Sequence, residues 1–333
     1  MTGRVYLHVG PHKTGTTYIQ GLLTVNREQL ARQGVLVPRP TLPAMKEAMG
    51  RGPVADDSRW TALLGRLERW PGRAAVISHE MISSATQREI GRLAQDLQGV
   101  DLHVIYSARD LSAVVPAMWQ TGLRSTRSFT WRQYSRSLKR PNRGNSPWGK
   151  RFWQSHDAVA VLRRWGRHLP TGNLHVLTVP RRNSPPELLW QRFCSIIEVD
   201  PTGHDLASPR SNPSLGTAEA ELLRRVNKAL STSDIDPTDW MTWARWLGRE
   251  LETRENMARF TLPRRDLSWV SVRSERVIAG LRASGYSVVG DLDDLRPQPV
   301  SPERARHPAD TSPEAVLEVA VHTIVQMTRN EAV

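Results

Sequence analysis

The stretch from Arg4 to Gln20, RVYLHVGPHKTGTTYIQ, constrains this chain more than any other. Val5 to Val9 is a short apolar run of strand-forming residues. Gly10 and Pro11 end it. Thr14-Gly15-Thr16-Thr17 then opens a segment in which Ile19, Leu22 and Leu23 share one helical face. A strand, a tight glycine turn and a helix start make a phosphate-binding geometry. Backbone N–H groups of the turn converge on one spot, and the helix dipole favours an anion there. A glycine turn that binds nothing is the alternative.

The letters decide which kind of phosphate loop this is. Gly10 and Gly15 have the G-x-x-x-x-G spacing of a nucleotide triphosphatase loop, which would continue with Lys and then Ser or Thr. Thr16 stands where that lysine belongs, and Lys13 lies inside the loop instead. Lys13, two threonine hydroxyls and several N–H donors suit a terminal 5′-phosphate and the breaking of the bond beside it. Pro11-His12-Lys13-Thr14-Gly15-Thr16-Thr17-Tyr18-Ile19 resembles the 5′-phosphosulfate loop of the sulfotransferase family, roughly P-K-x-G-T-T, with one residue inserted between Pro and Lys. The resemblance implies a P-loop three-layer α/β/α fold with a central parallel sheet of about five strands. It also implies 3′-phosphoadenosine 5′-phosphosulfate as donor, held by His12, Lys13, Thr14, Gly15, Thr16 and Thr17, with no metal.

The 333 residues suffice for one large α/β domain with additions, or for two small ones. No run approaches eighteen apolar residues, so no transmembrane segment is expected. No signal peptide is visible, and the single cysteine, Cys194, excludes an internal disulfide; both fit a cytoplasmic protein. Cys194 sits in apolar text and reads as a buried small side chain rather than a nucleophile. The formal charge of +13 makes nucleic acid the first partner to consider. No helix-turn-helix, zinc or ribonucleoprotein signature appears, and an anionic nucleotide with an anionic acceptor accounts for the charge equally well. No nucleic acid is therefore expected.

Along the chain, helix is expected over 16–33 and a short strand at Val35–Val37. Residues 38–57 read as loop with one or two helical turns, and 58–70 as helix. Ala74–Ser78 is a buried strand ending at His79-Glu80, and 86–98 is a helix. Leu102–Tyr106 is the next strand, leading through Arg109-Asp110 into a helix over 111–123. Helix at 157–168, a fifth strand at Leu174–Val179 and helix at 186–197 follow. This alternation implies a parallel sheet covered on both faces. The ligand then lies beyond the carboxyl ends of the strands, which gathers the Gly10 loop, His79-Glu80 and Arg109.

No acidic residue occurs between Leu111 and His156, whereas Arg124, Arg127, Arg132, Arg136, Lys139, Arg140, Arg143, Lys150 and Arg151 all do. Residues 124–155 read either as a solvated basic surface or as a lid over an anionic ligand. Asn212-Pro213-Ser214-Leu215-Gly216, ahead of a helix, adds to the likeness to bacterial sulfotransferase-like proteins, as does the helix carrying Trp190, Arg192 and Phe193. The expected organisation is a domain over 1–230 and a helical C-terminal extension over 231–333 packed on it. That extension holds a helix over 238–260, a linker over 291–311 and a final helix over 313–329.

Sulfuryl transfer needs a clamp on the leaving nucleotide, a base for the acceptor and donors for developing charge. Lys13, Gly15, Thr16 and Thr17 supply the first and third. His79 and Glu80 are the candidates for the base. The resemblance favours Glu80, in line with the family's glutamate, with His79 second. A helix cap or an ion pair is the alternative role for both. In the family the arginine at Arg109 grips the 3′-phosphate, joined by a serine eight residues on. Here that position is Ala117, and Ser112, Gln120 and Arg124 are the candidates to replace the serine. Arg109 paired structurally to Asp110 is the competing reading. The reaction implied is sulfuryl transfer to a hydroxyl or amine of a small-molecule or carbohydrate acceptor. A P-loop kinase and a catalytically silent nucleotide-binding relative remain open. Acceptor identity and oligomeric state carry no signature.

Overall fold

Runs of Val, Ile and Ala become strands because stiff, branched side chains pack well on a pleated surface. The computed structural model describes residues 3–38, 40–51, 58–141, 147–207, 214–252, 254, 257–298 and 307–330. The chain runs β1 (Arg4–His8), α1 (Thr16–Val25), α2 (Arg27–Arg32), β2 (Val35–Leu36), α3 (Leu42–Ala48), α4 (Arg59–Glu68) and β3 (Ala74–Ser78). It continues with α5 (Gln87–Asp96), β4 (Asp101–Ala108), α6 (Leu111–Arg124), α7 (Trp131–Lys139), α8 (Pro147–His156), α9 (Ala158–Trp165) and β5 (Leu174–Thr178). Then come α10 (Leu188–Ile196), α11 (Thr217–Leu230), α12 (Pro237–Glu252), α13 (Arg264–Arg282), β6 (Ser287–Val289) and α14 (Pro313–Asn330). Short 3-10 turns follow β3 at Glu80–Ser84 and β6 at Leu292–Leu295.

The expected α/β class is found. Six strands form one sheet in the order β2-β3-β1-β4-β5-β6, and each pairs in parallel with its neighbours. Parallel neighbours need crossovers, and the helices supply them, burying both faces. The alternation within β1 shows the two layers. Val5 and Leu7 join a core with Ala75, Ile77, Val104, Ile90 and Trp165, while Tyr6 joins another with Ile19, Leu22, Val76, Ile105 and Phe193. Full burial of Ile19 and Leu22 stabilises the fold by roughly 1.5–3 kcal/mol each. The chain leaves β1 toward β2 and β3 on one side and later returns to β4 on the other. The carboxyl end of β1 is therefore a topological switch point.

Three expectations about elements are corrected. The single helix over 16–33 is broken at Asn26. Its Nδ2 donates to the Leu22 and Asp205 carbonyls, and its Oδ1 accepts from the Asp205 N–H, so the side chain works as a joint. The sixth strand, β6, lies within the C-terminal third, where only helix was expected. The expected linker over 291–311 also begins as built structure. Asp294 is buried, accepts from Thr178 Oγ1 at 2.9 Å and pairs with Arg192 at 2.6 Å. Residues 299–306 of that linker lie outside the described residues.

The chain divides into two compact units that interleave in sequence. Unit 1 is Met1–Asp110, Arg151–Ser211 and Arg273–Arg296; unit 2 is Leu111–Lys150, Asn212–Val272 and Pro297–Val333. The sheet belongs to unit 1. Unit 2 is helical and has its own aromatic centre. The rings of Trp119 and Trp131 meet edge-on at 5.7 Å, and Phe260 lies 5.0 Å from Trp131 and 5.1 Å from Trp119. The buried Asp266 carboxylate accepts from Trp131 Nε1 at 2.7 Å, Ser135 Oγ at 2.7 Å and Trp269 Nε1 at 2.9 Å, and it pairs with Lys139.

The basic stretch is largely helical. Thr130 and Gln133 form a capping box that starts α7, and Trp131, Tyr134 and Leu138 are buried on its inner face. Arg124 pairs with Glu252 at 2.6 Å, Lys139 with Asp266, and Arg127 lies over the Trp148 ring at 4.4 Å. These cations already have partners within unit 2. Arg143 and its neighbours at 142–146 lie outside the described residues.

Candidate functional site

The loop between β1 and α1 is built by its own side chains. Thr14 Oγ1 donates to the Pro11 carbonyl at 2.7 Å, and Thr16 Oγ1 donates to the Gly10 and Pro11 carbonyls at 3.2 Å each. Both threonines are buried. Their hydroxyl hydrogens brace the loop from within. The half-buried Thr17 hydroxyl has no hydrogen-bond partner among the described residues.

Two residues of the loop have left-handed backbone: Lys13 at φ 69° and Gly15 at φ 81°. Glycine adopts this without cost, whereas a lysine there stores roughly 1–2 kcal/mol of strain. Such turns aim successive N–H groups to one side. Space also selects glycine. A Cβ at Gly15 would stand 2.6 Å from Leu189 Cδ2, and one at Gly10 would stand 2.8 Å from His8 Nε2.

Gly15 starts α1 without a side-chain cap, and the first turn holds no acidic residue. Thr41, Ser58, Thr86, Thr130 and Asp157 cap α3, α4, α5, α7 and α9 with side-chain oxygens, while α2, α10 and α11 start without a side-chain cap as α1 does. The first N–H groups of a helix have no intrahelical partner, and the macrodipole favours a negative acceptor there.

Two cationic residues meet at this loop. Arg109, one residue past β4, donates from its guanidinium to the Lys13 carbonyl at 3.0 Å. The adjacent Asp110 carboxylate also favours the charged Arg109 guanidinium, as the alternative reading of this arginine expects. The half-buried Glu80 follows β3 and stands 3.9 Å from the exposed His12 ring. Gln20 Nε2 donates to Glu80 Oε2 at 3.3 Å. Burial pushes the Glu80 carboxyl up, but its own backbone N–H, His12, His79 and Gln20 outweigh this and hold it below the usual carboxylate range. It is ionised at neutral pH and able to take a proton.

His79 is placed differently. Its Nδ1 accepts from the Met81 N–H at 3.2 Å and so caps the Glu80–Ser84 turn. Burial lowers its pKa. The capping role considered for both residues is found at His79.

Ala117 lies on α6 in unit 2, one residue after Pro116. It brings a methyl group where a serine was sought, and its carbonyl accepts from Thr121 Oγ1 at 2.9 Å. Of the three candidate replacements, Gln120 is buried and bonded at both ends of its amide to Leu215, and Arg124 is paired with Glu252. Ser112 is also buried. Residues 212 and 213 of the Asn-Pro-Ser-Leu-Gly text lie outside the described residues.

Two contributors were missed in the sequence. Gln20 falls one turn into a helix, where nothing in the letters separates it from a solvated residue. His156 ends the basic stretch; its Nε2 lies 3.1 Å from the His12 carbonyl and its Nδ1 lies 3.0 Å from the Phe152 carbonyl. It pins the loop from behind, and only the fold brings it there. Cys194 is fully buried, and burial pushes its thiol up to about 12, as a structural cysteine requires. No helix among the described residues is long and apolar enough to cross a membrane. No protein-family model matches the chain, and no curated protein matches it.

Proposed function

We propose that unit 1 is a sulfotransferase that uses 3′-phosphoadenosine 5′-phosphosulfate. The observation that carries the reading is the uncapped start of α1 beneath a loop bearing Lys13, with Arg109 bonded to that same loop. The N–H groups of residues 15–17 and the Lys13 ammonium would hold the 5′-phosphate. Arg109, with a planar fork of donors, would take the 3′-phosphate. The donor supplies a sulfuryl group, and adenosine 3′,5′-bisphosphate is left when that group moves to the acceptor oxygen or nitrogen. Glu80 removes the acceptor's proton, and Gln20 and His12 keep that carboxylate ionised beforehand. His79, already capping a turn, orients Glu80's backbone and is second choice as base. The acceptor class proposed is a small molecule or carbohydrate.

A thermal-shift panel tests the reading. Adenosine 3′,5′-bisphosphate at a hundredfold excess over its dissociation constant should stabilise the protein by about 2.7 kcal/mol. ATP should do less, and EDTA should change nothing. Equal stabilisation by Mg-ATP that EDTA abolishes would replace this reading with a kinase. Bisphosphate binding without turnover across a screen of hydroxylated acceptors would leave a silent nucleotide-binding protein.

A further inference from the structure

His8 is the last residue of β1, and no solvent reaches it. It lies on the sheet face that carries Tyr6, and the Phe193 ring of α10 meets it edge-on at 5.4 Å. An imidazole here interrupts an apolar layer and needs both nitrogens satisfied. Nδ1 lies 2.8 Å from Ser78 Oγ, at the end of β3, and Nε2 lies 2.7 Å from Ser107 Oγ, near the end of β4. Burial lowers the His8 pKa to about 4, so the ring is neutral at pH 7. One nitrogen then donates to one serine, and the other accepts from the second.

The three strands joined this way are neighbours, β3-β1-β4. Each leads directly into one part of the candidate site. Gly10 and the Lys13 loop follow His8, His79-Glu80 follows Ser78, and Arg109 follows Ser107 and Ala108. Gln20 adds a second tie, donating to both the Ser78 carbonyl and Glu80. The fit at Gly10 is close for the same reason. A Cβ there would stand 2.8 Å from His8 Nε2, 3.0 Å from Ser107 Cβ and 3.0 Å from Thr16 Oγ1.

We propose that His8 is a positioning residue that locks the Lys13 loop, the Glu80 turn and Arg109 into one register through Ser78 on one side and Ser107 on the other. Its catalytic meaning rests on the sulfotransferase reading; its mechanical role does not. A buried apolar side chain would hold β1 in the sheet equally well. Only a side chain with a polar atom toward each neighbour couples the three loops, so that an anion gripped by Lys13 and Arg109 is presented to Glu80 without a separate ordering cost.

Hydrogen exchange on split variants tests this. Asn offers its amide near the position of Nδ1, and Gln offers its amide near that of Nε2. His8→Asn should keep the Ser78 arm and raise exchange at residues 108–110. His8→Gln should keep the Ser107 arm and raise exchange at 79–84. Each rise should be roughly tenfold, the scale of one lost hydrogen bond, with residues 74–77 and 102–105 unchanged. Ser78→Ala and Ser107→Ala should reproduce the 79–84 and 108–110 patterns respectively, which keeps the test open if a His8 variant fails to fold. Exchange that rises evenly through the sheet, or stays unchanged at both loops, overturns the proposal. Calorimetry with adenosine 3′,5′-bisphosphate on the same proteins separates the two readings. Failure of the unsubstituted protein to bind removes the sulfotransferase reading, while the exchange patterns still decide the role of His8.

Discussion

Gln20 Nε2 donates to Glu80 Oε2 and to the Ser78 carbonyl, at 3.3 Å each. One amide on α1 thus fixes the candidate base against the helix that starts at the β1–α1 loop. Removing it should show in the titration of Glu80. The carboxyl lies below its usual range, and Gln20 is one cause. Gln20→Leu should therefore raise the Glu80 midpoint, read by carbon-13 carboxyl titration. If Glu80 is the base, the acid limb of turnover should move to higher pH with it. The sign for stability follows. A depressed carboxylate pKa contributes stability above about pH 4.3, lost as pH falls through the folded value, and the variant should keep less of it. An unmoved midpoint would remove Gln20 from the account.

Arg109 should discriminate between nucleotides. Arg109→Ala should weaken adenosine 3′,5′-bisphosphate far more than adenosine 5′-phosphosulfate, because only the first carries a 3′-phosphate. Calorimetry with both ligands reads the difference. An equal loss for both would reduce Arg109 to its bond with the Lys13 carbonyl.

At Lys13, backbone and side chain are separable. Its φ of 69° is strained for lysine and for alanine but not for glycine. Lys13→Gly should be at least as stable as Lys13→Ala in chemical denaturation. Both should lose turnover by about a hundredfold or more, since both lack the ammonium. Activity retained in Lys13→Gly would assign the loop's effect to its backbone alone.

Gly15 combines a φ of 81° with a Cβ position 2.6 Å from Leu189 Cδ2. Gly15→Ala should cost about 1–2 kcal/mol for the left-handed backbone and about 1–3 kcal/mol for the overlap. Pairing it with Leu189→Ala should remove the overlap cost and leave the backbone cost. Urea denaturation of the two single variants and the double variant measures the coupling. Simple additivity would show that Leu189 yields freely.

Acid should destabilise this protein before its carboxylates titrate. Burial lowers both His8 and His156 to about 4. Unfolding releases each ring to its usual value near 6.5, so the unfolded chain binds more protons between those values. Stability is full above pH 6.5 and falls as pH drops toward 4, by up to about 3 kcal/mol for each ring. His156→Gln should flatten that slope, measured by denaturation at pH 7, 6 and 5. An unchanged slope would mean that the folded His156 ring already carries both N–H protons, one donated to the Phe152 carbonyl and one to the His12 carbonyl.

Parts of this architecture were legible because local chemistry and tertiary structure agree. The apolar runs at β1, β3, β4 and β5 are buried on both faces, and the glycines of the first loop stand where positive φ and close packing require them. β6 was not legible. Ser287-Val288-Val289 is three residues long, and only the glycines at 285 and 290 mark its ends. The joint at Asn26 depends on Asp205, which is remote in sequence. The letters also could not show which way a hydroxyl turns. Thr16 reads as a ligand donor in the loop text, and its hydroxyl donates to two loop carbonyls. Glu80, Lys13 and Arg109 could be named because each follows a strand. Gln20, His8 and His156 could not, because their roles lie in partners from other segments.

The pairing of β5 with β6 sets an order on biosynthesis. β5 is complete at Thr178, and its outer partner ends at Val289. A chain leaving the ribosome at about 5–20 residues per second carries β5 with a bare outer edge for several seconds, and unpaired edges invite association with other chains. Trp119 and Trp131 wait as long for Phe260 and Asp266. Neither unit can close its core from its first segment alone. A chaperone that shields nascent chains should therefore raise the soluble yield of this protein most while residues 179 to 289 are being made.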